Sequence, residues 1–535
     1  MQPSARNLRA CVDSPFCSSL RVVVLQLVWF KRDLRVHDHA PLVVAAEAGR
    51  VLPVFVHEPE VQQADDFSPR HAVFLRESLD ALHTALTERG VGLLELRGAL
   101  PDVFDELCDV LPIAAIHAHE ETGNAITYVR DRRVRAWAKR RGVPLHERPG
   151  AGVVRRLATR DGWHDRWTAT MRRPCARAPE VLVGATDDEL RRVPASLRCT
   201  RPDAPLSDSN PGASARQTGG REQAESLLQS FLYERGEDYR RAMSSPSEAE
   251  LACSRLSAHL AFGTLSNREA YQAARVRVRE LRDSAATVAP SGRASLVRWQ
   301  QSLVSFASRL EWRDHFTQKL EDEPALEHQP FSPLYADVWP HEVDMSRLDA
   351  WRTGHTGFPL VDACMRSLEA TGWLTFRMRA MVMSFASHYL WLHWRHAGTV
   401  LARAFVDYEP GIHWMQCQMQ AGSTGINTIR IYNPVKQAEE HDPDGTFVRR
   451  WVPELAALPS VDLYRPWGTP AMVQLMHGLR IGGDYPLPLV SPESAHAQAR
   501  DALHAVKQQA QRIGESARVW KRHGSRRTPL GRPNR

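Results

Sequence analysis

Three stretches of this 535-residue chain gather residue types that could do chemistry together. In Cys253–Ser266 (CSRLSAHLAFGTLS), hydroxyls and backbone amides meet where a helix can begin, with Ser254 or Ser257 as its cap. Free amides and the helix dipole would there make an anion site suited to a diphosphate, and ordinary capping is the plain alternative. Arg377-Met-Arg379 falls on one predicted helix and Asp407-Tyr-Glu409 follows a second. An Arg–Asp pair in a helical core is either structural or polarises a buried heterocycle, since an acid beside a ring nitrogen tunes its protonation and redox potential. Ten of the fifteen tryptophans lie between 299 and 467. Packing explains most tryptophans; the sharper reading is that some line an aromatic cavity or carry electrons.

These residues need a scaffold, and the pattern predicts two kinds. Up to residue 150, β-branched runs alternate with helical segments. Strands are expected at Val22–Val28, Val51–Val56, Val91–Leu96 and Ile113–Ile116. Helices are expected from Pro41 and near Arg70–Thr87, Asp102–Val110 and Asn124–Arg141. Such alternation predicts a doubly wound parallel sheet, an α/β domain whose ligands bind at the carboxyl ends of the strands. No GxGxxG or Walker motif is present, so a standard dinucleotide or P-loop site is not expected. Between Arg191 and Gly220, Pro, Ser, Ala and Gly dominate, which reads as a linker. From Arg221 onward, 3–4 spacing (Leu303, Phe306, Leu310; Met378, Met381, Val382, Phe385) predicts an all-α domain. The expected layout is an extension over 1–21, an α/β domain over 22–150, a connector over 151–222, a helical domain over 223–490 and a basic tail over 491–535.

Composition narrows the class. With 43% apolar and 24% charged residues, a chain disordered throughout is excluded. No apolar run reaches the ~18–20 residues that span a bilayer, so no membrane is expected. Eight scattered cysteines form no CxxC pair, and no signal peptide is recognisable; reduced thiols and a cytoplasmic location are expected. The net charge of +7 sits in the tail: residues 505–535 hold nine basic residues and one acid, so the rest is nearly neutral. A solvated disordered tail is the plain reading and a DNA-gripping arm the alternative.

Beyond these patterns, an ordered series of motifs resembles the photolyase/cryptochrome family. It runs from Leu27-Val-Trp-Phe-Lys-Arg-Asp-Leu-Arg-Val-His-Asp38 through His119-Glu-Glu-Thr-Gly-Asn124, Ser254-Arg-Leu-Ser257 and Trp312-Arg-Asp314. It continues through Gly357–Ala363, Gly372-Trp373, Arg377-Met-Arg379, Asp407-Tyr-Glu409, Tyr432-Asn-Pro434 and Asp442-Pro-Asp-Gly445 to Leu455. The resemblance implies an N-terminal antenna domain, a long connector and a C-terminal helical FAD-binding domain. It further implies that Tyr239, Cys253, Ser254, Arg255, Leu256 and Ser257 hold the FAD phosphates and ribityl chain, and that Arg379 and Asp407–Glu409, with Tyr408, flank the isoalloxazine. Trp312 and Trp373 would line the opening for an extruded lesion, with Arg309, Arg313 and Arg377 on the DNA side. Glu121 would touch an antenna chromophore of folate or deazaflavin type. In this family, light drives an electron from reduced FAD into a pyrimidine dimer, which splits and returns it; no metal is needed.

The chain also departs from the family pattern. Arg309 stands where repair enzymes carry a glutamate, so an acceptor has become a donor-only cation. His413 matches the residue facing flavin N5, usually asparagine, and as an imidazole would exchange a proton near neutral pH. In the electron relay, Trp339 and Trp394 match the distal and middle tryptophans, but Cys417 replaces the proximal one; Trp414 or Trp391 is expected to take over. Only Cys253, Cys364 and Cys417 are offered by the helical domain, so no iron–sulfur cluster is expected. The resulting expectation is a monomeric, light-dependent deoxyribodipyrimidine photolyase, with a cryptochrome-type photoreceptor as the alternative. An electron-transfer flavoprotein unrelated to DNA is the third reading.

Overall fold

The structure is a computed structural model and describes residues 24–199 and 216–525. The expected extension over 1–21, and residues 200–215 of the Pro/Ser-rich linker, lie outside the described residues.

Strand β1 (Leu25–Phe30, LQLVWF) is buried along its whole length, as a central strand of a parallel sheet must be. It pairs in parallel with β2 (Arg50–His57) on one side and β4 (Ile113–His119) on the other. Strands β3 (Leu94–Arg97) and β5 (Leu145–Arg148) complete the order β3-β2-β1-β4-β5. Winding therefore reverses between β1 and β4, which opens a crevice at their carboxyl ends. The helices Ala40–Ala48, Pro69–Thr87, Asp102–Val110 and Ala125–Arg141 cover the sheet. Local chemistry sets the limits of the last one. Asn124 caps it by accepting from the Thr127 amide at 3.1 Å, and Gly142, at φ +74°, ends it after three basic residues.

The remainder is helical. A 33-residue helix, Pro290–Asp322, packs against Asn267–Thr287 and against Pro410–Ala421, which also meets Phe376–His388. The expected connector contributes to this core. Helix Trp163–Arg172 buries Trp163 and Trp167 among Tyr271, Phe306 and Leu310. The Trp167 indole donates to Asp314 at 2.8 Å.

As far as residue 525 the tail differs from its expectation as a solvated disordered segment; residues 526–535 lie outside the described residues. Residues 492–523 form two helices, Pro492–Arg512 and Glu515–His523, which bury Leu503, Val519 and His523. The His523 ring pairs with Glu323 at 2.7 Å, and Ser516 donates to the Gly425 carbonyl at 2.9 Å. A few apolar residues per helix are enough to hold a basic segment to a core, since long cationic side chains keep their heads in water.

Arginine side chains join the two halves. Arg32, just beyond β1, donates to the carbonyls of Ala261 (2.9 Å) and Tyr408 (2.6 Å). Arg70 donates to the carbonyls of Leu368, Glu369 and Ala404. Contact is close at Gly263 (φ +70°), where an added Cβ would stand 2.2 Å from the Arg32 carbonyl oxygen.

Candidate functional site

The short helix Ser257–Phe262 begins without a side-chain cap, and Leu256 occupies the cap position. Neither Ser254 nor Ser257 caps it, contrary to expectation. The Ser254 hydroxyl accepts from the Leu256 amide at 3.4 Å, and Ser257 instead supports Asp407. The segment before it is held from behind by Arg235, which donates to the carbonyls of Leu251, Cys253 and Ser254. Sequence reasoning missed Arg235, because a cation serving mainly backbone carbonyls, with one bond to the Ser230 hydroxyl at 2.9 Å, leaves no charged partner to find in the sequence.

Arg255, at φ +61°, turns its guanidinium over the Trp373 ring, 3.9 Å from the centroid. Its Nε is buried without a hydrogen-bond partner, and burial pulls the guanidinium below its ordinary pKa. Nearby, the Arg309 guanidinium faces the Tyr239 hydroxyl, and burial pushes that phenol up to about 12. A half-satisfied buried cation is costly and calls for an anion. Arg255, Ser254 and Tyr239 could hold a diphosphate of the kind FAD carries.

Arg379 grips both carboxylate oxygens of Asp407, at 2.9 and 2.7 Å, and also donates to the Leu374 carbonyl. Burial alone would raise the Asp407 pKa; the Arg379 charge, together with the hydrogen bonds from Arg379 and Ser257, outweighs it and holds the carboxyl below its usual range. Two residues on, Glu409 accepts from Arg313 at 2.7 Å. Arg313 also reaches Asp314 and the Leu260 carbonyl, so it is committed to the protein interior rather than to the DNA side expected of it. Arg377 lies against Tyr432, and Arg309 is exposed apart from its contact with Tyr239.

His413 donates from Nε2 to the Gly398 carbonyl at 2.8 Å. Burial draws its pKa down to about 4, against the pull of that carbonyl. The ring therefore stays neutral at physiological pH, which corrects the expected proton exchange near pH 7. Its edge meets Trp414 at 4.8 Å between centroids. Trp414 is fully buried and lies 6.2 Å from Trp394. His393 stacks on Trp394 and meets Trp339, which lies 6.1 Å from Trp391. Gly398 makes room for this array: an added Cβ would come within 2.6 Å of the Trp414 ring. Cys417 is buried beside His413 with its thiol pushed up to about 12, so it is inert.

Toward solvent, Trp312 is 41% exposed and Phe376 is 53% exposed. Phe376 was not anticipated; its place between Thr375 and Arg377 gave no signal, since exposure is a property of the fold.

Two clefts adjoin the sheet. One opens at the ends of β1 and β2 among Trp29, Phe30, Phe55, Phe67, Phe262 and Tyr408. The other is polar and runs between the two halves past Lys31, Arg35, Glu120, Arg155 and Asn267. Glu121 borders both, with its carboxylate held by Arg130 at 2.6 Å. Beside them Asp33 accepts from His39 (2.9 Å) and His119 (2.7 Å). These three could hold a metal by proximity. However, His39 Nδ1 accepts from the Leu42 amide, which fixes the proton on Nε2 and blocks ligation there. Among the described residues, no helix is long and apolar enough to cross a membrane.

Comparison with known proteins agrees with this layout. Residues 26–164 match the DNA photolyase family model, and residues 306–505 match the model for the FAD binding domain of DNA photolyase. A deoxyribodipyrimidine photo-lyase of Streptomyces griseus is 31% identical over 497 residues, covering 89% of this chain and 97% of its own. A cryptochrome DASH of Gloeobacter violaceus is 29% identical over 506 residues, covering 89% and 95%. The solved structure of a Synechocystis cryptochrome superposes with a TM-score of 0.77 at 25% identity, over 90% of this chain and 99% of that one. By sheet, helical half and sequence together, this chain belongs to the photolyase/cryptochrome family.

Proposed function

We propose that the protein is a light-dependent DNA photolyase acting on pyrimidine dimers. The observation that carries this reading is a set of accessible aromatics: Trp312 and Phe376 stand exposed, and half-buried Trp373 lies under the Arg255 guanidinium. Exposed aromatics beside cations are costly in water and suit an unstacked base. When bound in reduced form, FAD would supply a photoexcitable electron donor.

The chain's own residues then do the positioning. Arg255 would neutralise the diphosphate, and the Tyr239 hydroxyl would help to orient it. The Arg379–Asp407 pair presents a fixed dipole to the ring system, and Ser257 holds Asp407 in place. The neutral His413, tied to Gly398, presents no charge. Trp312 and Trp373 receive the extruded dimer, Phe376 fills the gap it leaves in the stack, and Arg309 and Arg377 meet phosphates. The apolar cleft at the ends of β1 and β2 is the place for an aromatic antenna chromophore, bordered by Glu121.

A second reading, a cryptochrome-type receptor, is favoured by Arg309, which removes the carboxylate that would read base edges. The deciding experiment illuminates reduced, FAD-loaded protein with UV-damaged single- and double-stranded oligonucleotides. Light-dependent recovery of intact bases, followed by chromatography, is expected. Failure to restore both cyclobutane dimers and 6-4 photoproducts would leave the receptor reading in its place.

A further inference from the structure

Tyr408 occupies an unusual junction. Its ring borders the apolar cleft together with Asp66 and His71, while its backbone belongs to the Asp407–Glu409 loop of the flavin side. The hydroxyl works in two directions. It accepts from the Trp414 indole Nε1 at 3.1 Å and donates to Asp66 Oδ2 at 2.5 Å. Asp66 is buried and also accepts from the Asn124 amide at 3.1 and 3.3 Å, so the carboxylate is the acceptor end of the chain. Trp414, Tyr408 and Asp66 thus form one directed line of hydrogen bonds.

Trp414 is a poor place for a positive charge to rest. The Arg395 guanidinium lies 3.7 Å from its ring centroid, and a cation there repels a second positive charge in a buried setting. Trp394, the next ring outward, has its indole nitrogen buried with no hydrogen-bond partner. An oxidised Trp394 would keep its proton and remain a buried cation, which is costly. Tyr408 alone of the three has a carboxylate aligned to take the proton, and its oxidation leaves no net charge on the ring.

We propose that Tyr408 is the resting place of the oxidising equivalent in this protein and that Asp66 is its proton acceptor. The proposal rests on the flavoprotein reading above. The photoexcited oxidised flavin is the oxidant and keeps the electron that Trp414 gives up. Oxidised Trp414 regains an electron from Tyr408. The Tyr408 O–H bond breaks, its proton joins Asp66 Oδ2, and a neutral phenoxyl radical remains beside a protonated carboxyl. Return of the electron reverses both transfers.

The test uses full-length, FAD-loaded protein, illuminated in the oxidised state and frozen for electron paramagnetic resonance. Flavin absorption of the purified protein is recorded first; a chain that retains no flavin overturns the underlying reading and this proposal together. With flavin bound, a tyrosyl signal is expected that narrows when the protein is made with ring-deuterated tyrosine, a label that leaves the fold untouched. Tyr408→Phe is expected to abolish it, and Trp394→Phe to leave it. Asp66→Asn is expected to slow its formation by about 10²-fold, the usual loss on removing a positioned base, and to remove a protonated-carboxyl band from the light-minus-dark infrared spectrum. A radical that responds only to deuterated tryptophan, or a tyrosyl signal that survives Tyr408→Phe, would overturn the assignment. Unchanged kinetics in Asp66→Asn would overturn the role of the carboxylate.

Discussion

Arg379 and Asp407 meet through two parallel hydrogen bonds, 2.9 and 2.7 Å long, across 28 residues of sequence. Asp407 is buried, so neither group can lose the other cheaply. Arg379→Leu is expected to destabilise the protein by about 3–5 kcal/mol, because it strands a buried carboxylate. Removing both charges, with Asp407→Asn added, should recover a large part of that loss. Urea unfolding of the single and double variants measures the difference.

Acid should weaken the fold before it reaches ordinary carboxylate pKa values. His71, His259 and His388 are buried and neutral, with burial drawing each pKa from 6.5 down to about 4. Between those values the unfolded chain binds protons that the folded chain does not. Stability therefore holds above pH 6.5 and falls as pH drops toward 4, by up to about 1.4 kcal/mol per pH unit for each histidine. Denaturation midpoints across this range should show the slope, and His388→Gln should reduce it.

Electron entry through Trp414 has its own signature. Cys417→Ala should leave flavin photoreduction unchanged, whereas Trp414→Phe should slow it. Gly398→Ala drives a methyl group into the Trp414 ring and should cost about 1–3 kcal/mol of stability as well as rate. Absorbance decay of the oxidised flavin under blue light checks all three.

Truncation should separate the two roles of the C-terminal region. Ending the chain at Ser525 removes Arg526, Arg527, Arg532 and Arg535, and should lower nonspecific DNA affinity and its salt slope while leaving flavin content intact. Ending it at Gly514 removes Val519 and His523 from the core and should lower the Tm. Titration with undamaged duplex at two salt concentrations, beside thermal melts, reads both.

What the sequence disclosed followed physical locality. The run Val22–Val28 declared a strand of a parallel sheet, which the structure describes at Leu25–Phe30, because both faces of such a strand need apolar residues. Strand β5 escaped notice since its four residues, LHER, carry charge at a sheet edge. Residue types at the candidate site were legible, but their pairings were not. The resemblance placed Arg313 on the DNA side, and its partner Glu409, 96 residues away, gave no local sign of the pairing. His413 read as titratable because burial, which sets its proton affinity, is a property of the folded chain. The tail read as disordered because Leu503 and Val519 are thinly spread among polar residues.

The arginine forks at the joint have a mechanical corollary. Arg32 and Arg70 grip main-chain carbonyls, which every residue type possesses. Substitution on the opposite surface cannot erase those acceptors, and salt screens them less than it screens exposed ion pairs. Severed at the linker, each half would leave charged donors or buried carbonyls unsatisfied. Halves of such a chain should melt together in one calorimetric transition, and the α/β part should not be transplantable as a free-standing module.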